Sequence, residues 1–436
     1  MDITIEKLIY GGEGLAHHNG STVFVPFVLP AERVEAIPVE QKKKFIRARI
    51  EKFLEPSTDR TPARCPHFGT CGGCDYQHIP YEAELQYKSG ILRETLRRIG
   101  RIEWPGTITT HPSPPWEYRN RAQWKIRPLS ADRTPDRAGA PLDPGEARLG
   151  VGYFRANSTA LCQVEDCSII SPLLLKTLLS LRELARGAGL PKQLREIEAF
   201  ADSSESKLLL TATFAGFPSG AGDLAKKFLE LAPEIESLLF HDPSHERMEL
   251  FGPGFFAYEV LGTKYRVGHL SFFQVNRFLA GELVREVAQQ EPGGRLVLDL
   301  FAGVGLFSAP FAARFERLVA VEANPAAARD LEANLRGSAR AEARAAEVEP
   351  FLASYRDKPD LVVVDPPRSG LTPGAISRLA HIAPDRITYV SCDPPTLARD
   401  LAALKNQGYL LSEVHLFDLF PQTFHIETAV RLRRRV

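Results

Sequence analysis

Apolar runs of strand character at 295–301, 317–322, 360–364 and 386–391 alternate with Ala/Leu/Arg-rich stretches of helical character. That alternation predicts a parallel sheet with crossover helices. Two further strand-like runs, 409–416 and 428–433, are separated only by a loop and predict an antiparallel hairpin at the sheet edge. At the other end, short β-like runs at 2–8, 22–28, 33–38 and 45–53 are spaced by turns such as Gly11-Gly-Glu-Gly14, as in a small β-barrel. Between them lie a Pro/Cys/Gly loop, a helical stretch from Tyr81 to about Gly100, and a mixed region that runs from about 110 to 266. The mixed region holds a Pro/Asp/Gly-rich insert, Leu129 to Gly145, that reads as a long exposed hairpin loop. The expected class is α/β, with a barrel over 1–56, a central α+β domain over 57–266, and a Rossmann-like domain over 267–436. The helix near 81–100 is free in this division to pack on the last domain.

A length of 436 residues is too much for one core and agrees with several domains. Lys+Arg and Asp+Glu balance at 54 each, so any contact with nucleic acid must come from local patches. No signal peptide and no bilayer-spanning stretch is evident, and no obligate protein partner suggests itself. Six unevenly spaced cysteines do not resemble a disulfide framework. They predict a reducing cytoplasm with metal-binding or catalytic thiols.

The run Arg295–Phe301 leads into Ala302-Gly-Val-Gly-Leu-Phe307, whose glycines permit a tight turn and close approach of a ligand. A third glycine at dinucleotide spacing is missing. The next run ends on Glu322, 19 residues after Gly303, where a carboxylate can accept hydrogen bonds from both ribose hydroxyls. A plain surface acid at a strand end is the alternative. A ribose-binding acid with no phosphate cradle suits a nucleoside cofactor without phosphates, and S-adenosylmethionine fits. The run at 360–364 ends in Asp365-Pro-Pro-Arg368. Enzymes that methylate exocyclic amines carry an aromatic where Arg368 stands, so that chemistry is disfavoured.

Cys392 closes the run Ile387-Thr-Tyr-Val-Ser-Cys392 before a Pro-Pro break, at the sheet edge where ligands bind. A thiol there reads as a nucleophile, although burial in a core is the commoner fate of a cysteine. Carbon 5 of a pyrimidine is a poor nucleophile until a thiolate adds to carbon 6, and a base must later remove the carbon 5 proton. Glu427, in Phe420-Pro-Gln-Thr-Phe-His-Ile-Glu427, can supply that base, with His425 as its rival.

Two surfaces remain. Cys65-Pro-His-Phe-Gly-Thr-Cys71-Gly-Gly-Cys74 sets three thiols in a Gly/Pro-rich loop where they can converge on a metal. Cys162 or Cys167 can supply a fourth, and spacing alone permits zinc or an iron–sulfur cluster. Along Trp116–Arg127, Arg119, Arg121, Gln123, Lys125 and Arg127 share one face of a strand, as in a sheet that touches phosphate. Lys42, Lys43 and Lys44 with Arg47 and Arg49 make one rim of the barrel positive, or simply a solvated turn.

Together these residues resemble the RNA uracil-5-methyltransferase family, in the branch with an N-terminal TRAM barrel and an iron–sulfur cluster. The carriers are Cys65/Cys71/Cys74 with Cys167, Tyr118-Arg-Asn-Arg121, Ser271-Phe-Phe-Gln-Val-Asn276, Asp299-Leu-Phe-Ala-Gly-Val-Gly305, Asp365-Pro-Pro-Arg368, Ser391-Cys392 and His425-Ile-Glu427. The resemblance implies a seven-stranded methyltransferase sheet, cofactor contacts from Gln274, Phe301, Glu322 and Asp365, attack by Cys392, and proton removal by Glu427. It further implies a 4Fe–4S cluster on Cys65, Cys71, Cys74 and Cys167, leaving Cys162 aside. Leu306 stands where several relatives carry a cofactor-touching asparagine, and Glu347 is a loose match to an acidic adenine contact. The expected substrate is a uridine of 23S ribosomal RNA, with a transfer RNA T-loop uridine second. RNA cytosine-5 methylation and RNA binding without turnover are the rival readings.

Overall fold

A computed structural model describes residues 1–129, 149–187 and 189–435, so the expected loop at Leu129–Gly145 lies almost wholly outside the described residues. The chain forms two compact units. One contains Met1–Arg64, Cys74–Pro115 and Ser271–Val436, and the other contains Cys65–Gly73 and Trp116–Leu270.

The first unit opens with a six-stranded sheet in the order Asp2–Thr4, Arg33–Gln41, Phe45–Glu55, Ser21–Pro26, Glu13–His18, Lys7–Leu8. Its strands alternate as a one-faced sheet should. Val34, Ala36, Ile46 and Ala48 join Ile3, Ile5, Val23 and Val25 inside, while Glu35, Arg47 and Arg49 face water. The barrel reading of this region holds, with six strands where four apolar runs were read: the run at 2–8 splits into Asp2–Thr4 and Lys7–Leu8, and Glu13–His18 is added. Glu13–His18 was hidden because it has a glycine at position 14, where a β-carbon would lie 2.3 Å from Val28 Cγ2. Lys42, Lys43 and Lys44 form the exposed turn between two strands, and Lys42 pairs with Glu40 at 3.2 Å.

The larger sheet of this unit has eight strands in the order Ala341–Ala345, Phe315–Glu322, Gly294–Leu300, Leu361–Val364, Arg386–Ser391, Glu427–Arg434, Tyr409–Phe417, Ile108–His111. Every neighbouring pair is parallel except the two made by Glu427–Arg434, the lone reversed strand. The sheet therefore exceeds the expected seven strands. Its outermost strand, Ile108–His111, comes from sequence assigned to the central domain. Residues 74–115 as a whole belong with this sheet, because Ile91, Leu92 and Leu96 of the helix Tyr81–Arg98 sit in the same core as Leu298, Val364, Tyr389 and Leu401. Three crossover helices begin just past strand ends with a capping side chain and proline, at Asn324-Pro325, Thr372-Pro373 and Asp393-Pro394. These caps fix the carboxyl edge of the sheet, where the candidate residues lie.

The second unit is a seven-stranded sheet in the order Leu161–Gln163, Leu149–Phe154, Arg121–Pro128, Leu194–Ala201, Leu208–Phe214, Ile235–Asp242, Arg247–Phe251. A hairpin, Phe255–Val260 with Thr263–Gly268, and the helices Pro172–Arg186 and Ala221–Leu231 complete it. Among the described residues no helix is long and apolar enough to cross a membrane.

Candidate active site

Glu322 ends its strand and is held from two sides by backbone. Its carboxylate accepts the Gly303 N–H at 2.8 Å and the Asn324 N–H at 2.7 Å. The glycine turn is thereby locked to the acid. Phe301, at the exit of Gly294–Leu300, has φ of +62°, a conformation that costs a bulky residue and is kept where a site requires it. Gly305 has φ of +90°, and a β-carbon there would lie 2.8 Å from Leu331. Leu306 is buried, while Glu347 is an exposed helix-capping position.

Asp299 and Asp365 lie beside this acid. The Asp365 N–H donates to Leu300 O at 3.2 Å, and burial together with the Glu322 charge pushes its carboxyl up to about 7. Asp299 is fully buried. It too is pushed up to about 7, by burial and then by Asp365 and Glu322, against a hydrogen bond from Ser308. One of its oxygens, Oδ1, is buried without a partner among the described residues. Three crowded carboxyls, one with an idle acceptor, fit a ligand that brings both hydroxyl donors and a positive charge. S-adenosylmethionine has both. Gln274 is buried nearby in sequence, in a segment anchored by the Ser271 hydroxyl on Asp330 at 2.7 Å and by Asn276 on Leu419 O at 3.1 Å. The interactions that connect the acids do not include it.

Cys392 and Glu427 are brought together by strand register. Ser391 pairs with Thr428 across the reversed strand, and the Thr428 hydroxyl donates to Ser391 O at 3.2 Å. The next residue outward on each chain is Cys392 on one side and Glu427 on the other. The Cys392 thiol is pushed up to about 11, first by burial, then by the Glu427 and Asp365 charges. Arg368 opposes this with its charge and a hydrogen bond to the sulfur. Glu427 is 5% exposed, and burial followed by the Asp365 charge raises its carboxyl well above the usual range, again against Arg368. The Arg368 guanidinium also approaches His425 Nδ1 at 3.3 Å. His425 thus sits at the rim, in contact with the arginine, while Glu427 is the inner group.

Sequence reasoning missed three of these neighbours. Arg368 was read as a missing aromatic and quoted in a motif without a role of its own, although an arginine three residues past a strand-end acid was a usable signal. Asp299 was quoted in a motif without a role. Tyr10, whose hydroxyl donates to Cys392 O at 3.4 Å and Asp393 Oδ2 at 3.2 Å, comes from the barrel and had no local signal at all.

In the second unit four thiols are linked in pairs, Cys71 with Cys162, Cys162 with Cys65, and Cys65 with Cys167. Cys71 shares a hydrogen bond with Cys162, which lowers the Cys162 thiol to about 7, and Cys65 and Cys167 each raise through burial while feeling neighbouring thiols. The loop is tight: Gly72 N–H donates to Phe154 O at 3.0 Å, and a β-carbon on Gly72 would stand 3.3 Å from the Ala156 backbone. Such a compact set of thiols fits a thiophilic metal or cluster. Cys74 starts the following segment of the first unit.

The basic strand is corrected in part. Arg121 pairs with Glu198 at 2.5 Å and Lys125 pairs with Glu196, both acids from the neighbouring strand Leu194–Ala201. Arg127 lies over the Phe154 ring. Judged within one strand the face lacked an acid, but a sheet brings acids from the side, so much of this charge is already answered.

Comparison with known proteins agrees with this geometry. The model of the tRNA (Uracil-5-)-methyltransferase family matches residues 261–435. An uncharacterized RNA methyltransferase of Aquifex aeolicus is 34% identical over 99% of this chain and 98% of its own. The 23S rRNA (uracil(1939)-C(5))-methyltransferase RlmD of Salmonella choleraesuis is 32% identical over 100% and 96%. The crystal structure of Pyrococcus abyssi tRNA (uracil-54, C5)-methyltransferase with S-adenosyl-L-homocysteine shares the fold, at TM-score 0.74 and 24% identity over 99% of this chain and 100% of that one. A paired thiol and carboxyl beside a cradled ribose-type acid, in a chain aligned end to end with such relatives, places this protein in the RNA uracil-5-methyltransferase family.

Proposed function

We propose that this protein methylates carbon 5 of a uridine in 23S ribosomal RNA, with S-adenosylmethionine as donor, in the cytoplasm. The observation that carries the reading is the pairing of Cys392 with Glu427 by strand register at the edge that also holds Glu322 and Asp365. Relatives named as 23S rRNA enzymes support the choice of RNA.

Cys392 adds through sulfur to carbon 6, and the electron pair of the carbon 5–carbon 6 bond moves to the carbonyl at carbon 4 as an enolate. Carbon 5 of that enolate then takes the methyl group. When bound, S-adenosylmethionine would be held by Gln274, Phe301, Glu322 and Asp365 and would supply that methyl from its positively charged sulfur, the sulfur–methyl bond breaking to leave neutral S-adenosylhomocysteine. Glu427 then removes the carbon 5 proton, the double bond reforms, and the Cys392 thiolate leaves. Arg368 is placed to favour the thiolate before attack, and a positive ligand beside Asp365 favours the ionised forms of both carboxyls. The target base must leave its stack, at a cost of about a few kcal/mol, least in an unpaired segment. Phosphate contacts of the RNA with exposed cations offset part of that.

A 4Fe–4S cluster on Cys65, Cys71, Cys74 and Cys167 belongs to the same reading, supported by the spacing of the first three and the closeness of Cys65 and Cys167. Cys65→Ser is expected to lose iron and the associated visible absorbance. Unchanged iron and absorbance would remove the cluster.

The decisive experiment incubates the protein and S-adenosylmethionine with 5-fluorouridine-containing 23S and tRNA transcripts. Fluorine cannot leave as a proton, so a denaturation-resistant adduct should accumulate on the 23S transcript and vanish in Cys392→Ala. An adduct on tRNA alone would move the substrate to the T-loop. No adduct on either RNA would overturn the uridine assignment.

A further inference from the structure

Away from the cysteine–glutamate pair, the first unit holds a second cluster of ligating side chains that the reaction does not use. His111 ends the strand Ile108–His111, His415 lies on its neighbour Tyr409–Phe417, and Glu286 belongs to a π-helical turn, Arg285–Gln289, that continues the helix Ala280–Val284. Isolated π turns inside helices recur at functional sites, because the extra residue re-aims a side chain. One ligand atom from each of the three residues lies within 4.8 Å of the other two. His415 is 7% exposed.

The arrangement of the ring nitrogens is the telling part. His111 Nε2 and His415 Nδ1 face each other at 3.1 Å. The outer nitrogens both face carboxylates: His111 Nδ1 lies 3.4 Å from Glu282, and His415 Nε2 lies 3.4 Å from Glu413 and 3.8 Å from Glu286. A carboxylate selects the tautomer that donates to it. With both outer nitrogens protonated, two neutral rings present lone pair to lone pair across the 3.1 Å gap. That contact is repulsive unless a cation stands between or beside the two atoms. Two nitrogens bound to one zinc ion at tetrahedral angles would be about 3.3 Å apart, so the observed separation is close to that of a ligated pair.

Charge points the same way. Glu282, Glu286 and Glu413 bring three negative charges. Arg285 pairs with Glu282 and Arg431 answers a second of the three, while the remaining partner of Arg431, Glu291, is already paired with Arg386 at 2.8 Å. With two cations against three carboxylates, a deficit of one positive charge remains around two neutral imidazoles. Arg431 also holds Glu286 at 3.0 Å, so this carboxylate is oriented from behind, as metal-ligating carboxylates commonly are.

We propose that His111, His415 and Glu286 form a site for one divalent transition-metal ion of the zinc class, with Glu282 and Glu413 as the carboxylates that fix the histidine tautomers. Imidazole and carboxylate donors suit zinc, nickel or cobalt rather than magnesium or calcium. The ion would clamp the four-residue edge strand Ile108–His111 to the sheet and to the helix that carries Glu286.

The test compares wild type with His111→Gln and His415→Gln, each as the full chain carrying whatever its cysteines bind. After equilibrium dialysis against zinc, wild type should retain one more equivalent than either variant, and zinc should raise its melting temperature by several degrees but not theirs. Cobalt in the same place should give visible bands without the thiolate charge-transfer absorption that a cysteine site would add. Crystals of wild type soaked in zinc should show an anomalous peak between His111 and His415, a readout that survives if a variant fails to fold. Equal zinc content in all three proteins, or no anomalous peak at the histidine pair, would overturn the proposal and leave a shared proton in the gap.

Discussion

The Glu427 charge disfavours the Cys392 thiolate, and burial with the Asp365 charge disfavours the Glu427 carboxylate, yet the reaction needs the thiol ionised first and the carboxylate ionised later. The order follows from what enters: a base released by departure of positive charge from the site is strong because its burial makes it so. Glu427→Gln should therefore still attack and methylate, then stall. We expect turnover to fall by about 10²–10⁴-fold, with a methylated protein–RNA adduct on natural RNA visible by denaturing electrophoresis. Rapid release of methylated RNA by that variant would remove the base role. Asp299 gives a second test. Its folded-state carboxyl binds a proton more tightly than the unfolded chain does, being pushed up to about 7 from 3.8. Its stabilising preference is thus complete at low pH and is lost as pH rises between those two values. Asp299→Asn should be more stable than wild type at pH 8, by on the order of 2–4 kcal/mol in denaturant melts, and the gap should close below about pH 4. A gap that grows toward acid would contradict the assignment. The strand-end residues Glu322, Asp365 and Cys392 were legible because each closes an apolar run. Asp299 was not, since one acid inside such a run looks like an interruption, and Tyr10 stands 382 residues from the cysteine it supports.

The helix Tyr81–Arg98 does more than cover the sheet. Lys88, Glu84 and Asp418 form an ion cluster with no exposed side chain, at 2.7 and 2.6 Å from the ammonium. Glu84 also takes the Gln422 N–H at 2.8 Å, and Lys88 donates to Phe420 O at 3.1 Å. The loop that leads to Glu427 is thereby tied to this helix. A second tie comes from Asp75 and Tyr76, whose N–H groups donate to Gln422 O at 2.9 and 3.0 Å. Two carboxyls share one lysine, and burial raises Glu84, so one proton stays with the pair. Lys88→Met leaves two buried acids without their cation and should lower stability by about 3–5 kcal/mol in a chemical melt, with activity falling as the loop loosens. A loss under about 1 kcal/mol would mean the cluster is not closed to water. None of this could be read beforehand, because a lysine four residues after a glutamate looks like an exposed pair on a helix surface. The parallel strands were legible as apolar runs buried on both faces. The missed strands, Ile108–His111, Ala341–Ala345 and Glu13–His18, are short or polar and owe their form to neighbours rather than to their own pattern.

At the scale of the whole chain, the expected boundaries followed composition, whereas the units follow contacts. Residues 74–115 carry no compositional break, yet they belong with 271–436. The consequence is temporal. Strand Ile108–His111 finds its partner only at Val414–Phe417, and the reversed strand that carries Glu427 must slide between two others after that. The span from His111 to Phe417 is 306 residues by their register, which at ribosomal rates takes roughly 15–60 s. Trp116–Leu270, whose strands pair with one another, can finish in that interval. The nascent chain meanwhile holds an unpaired strand and an apolar helix face in waiting, a natural client for a holding chaperone. The active centre is assembled last, when base and nucleophile are zipped into register in one closing step.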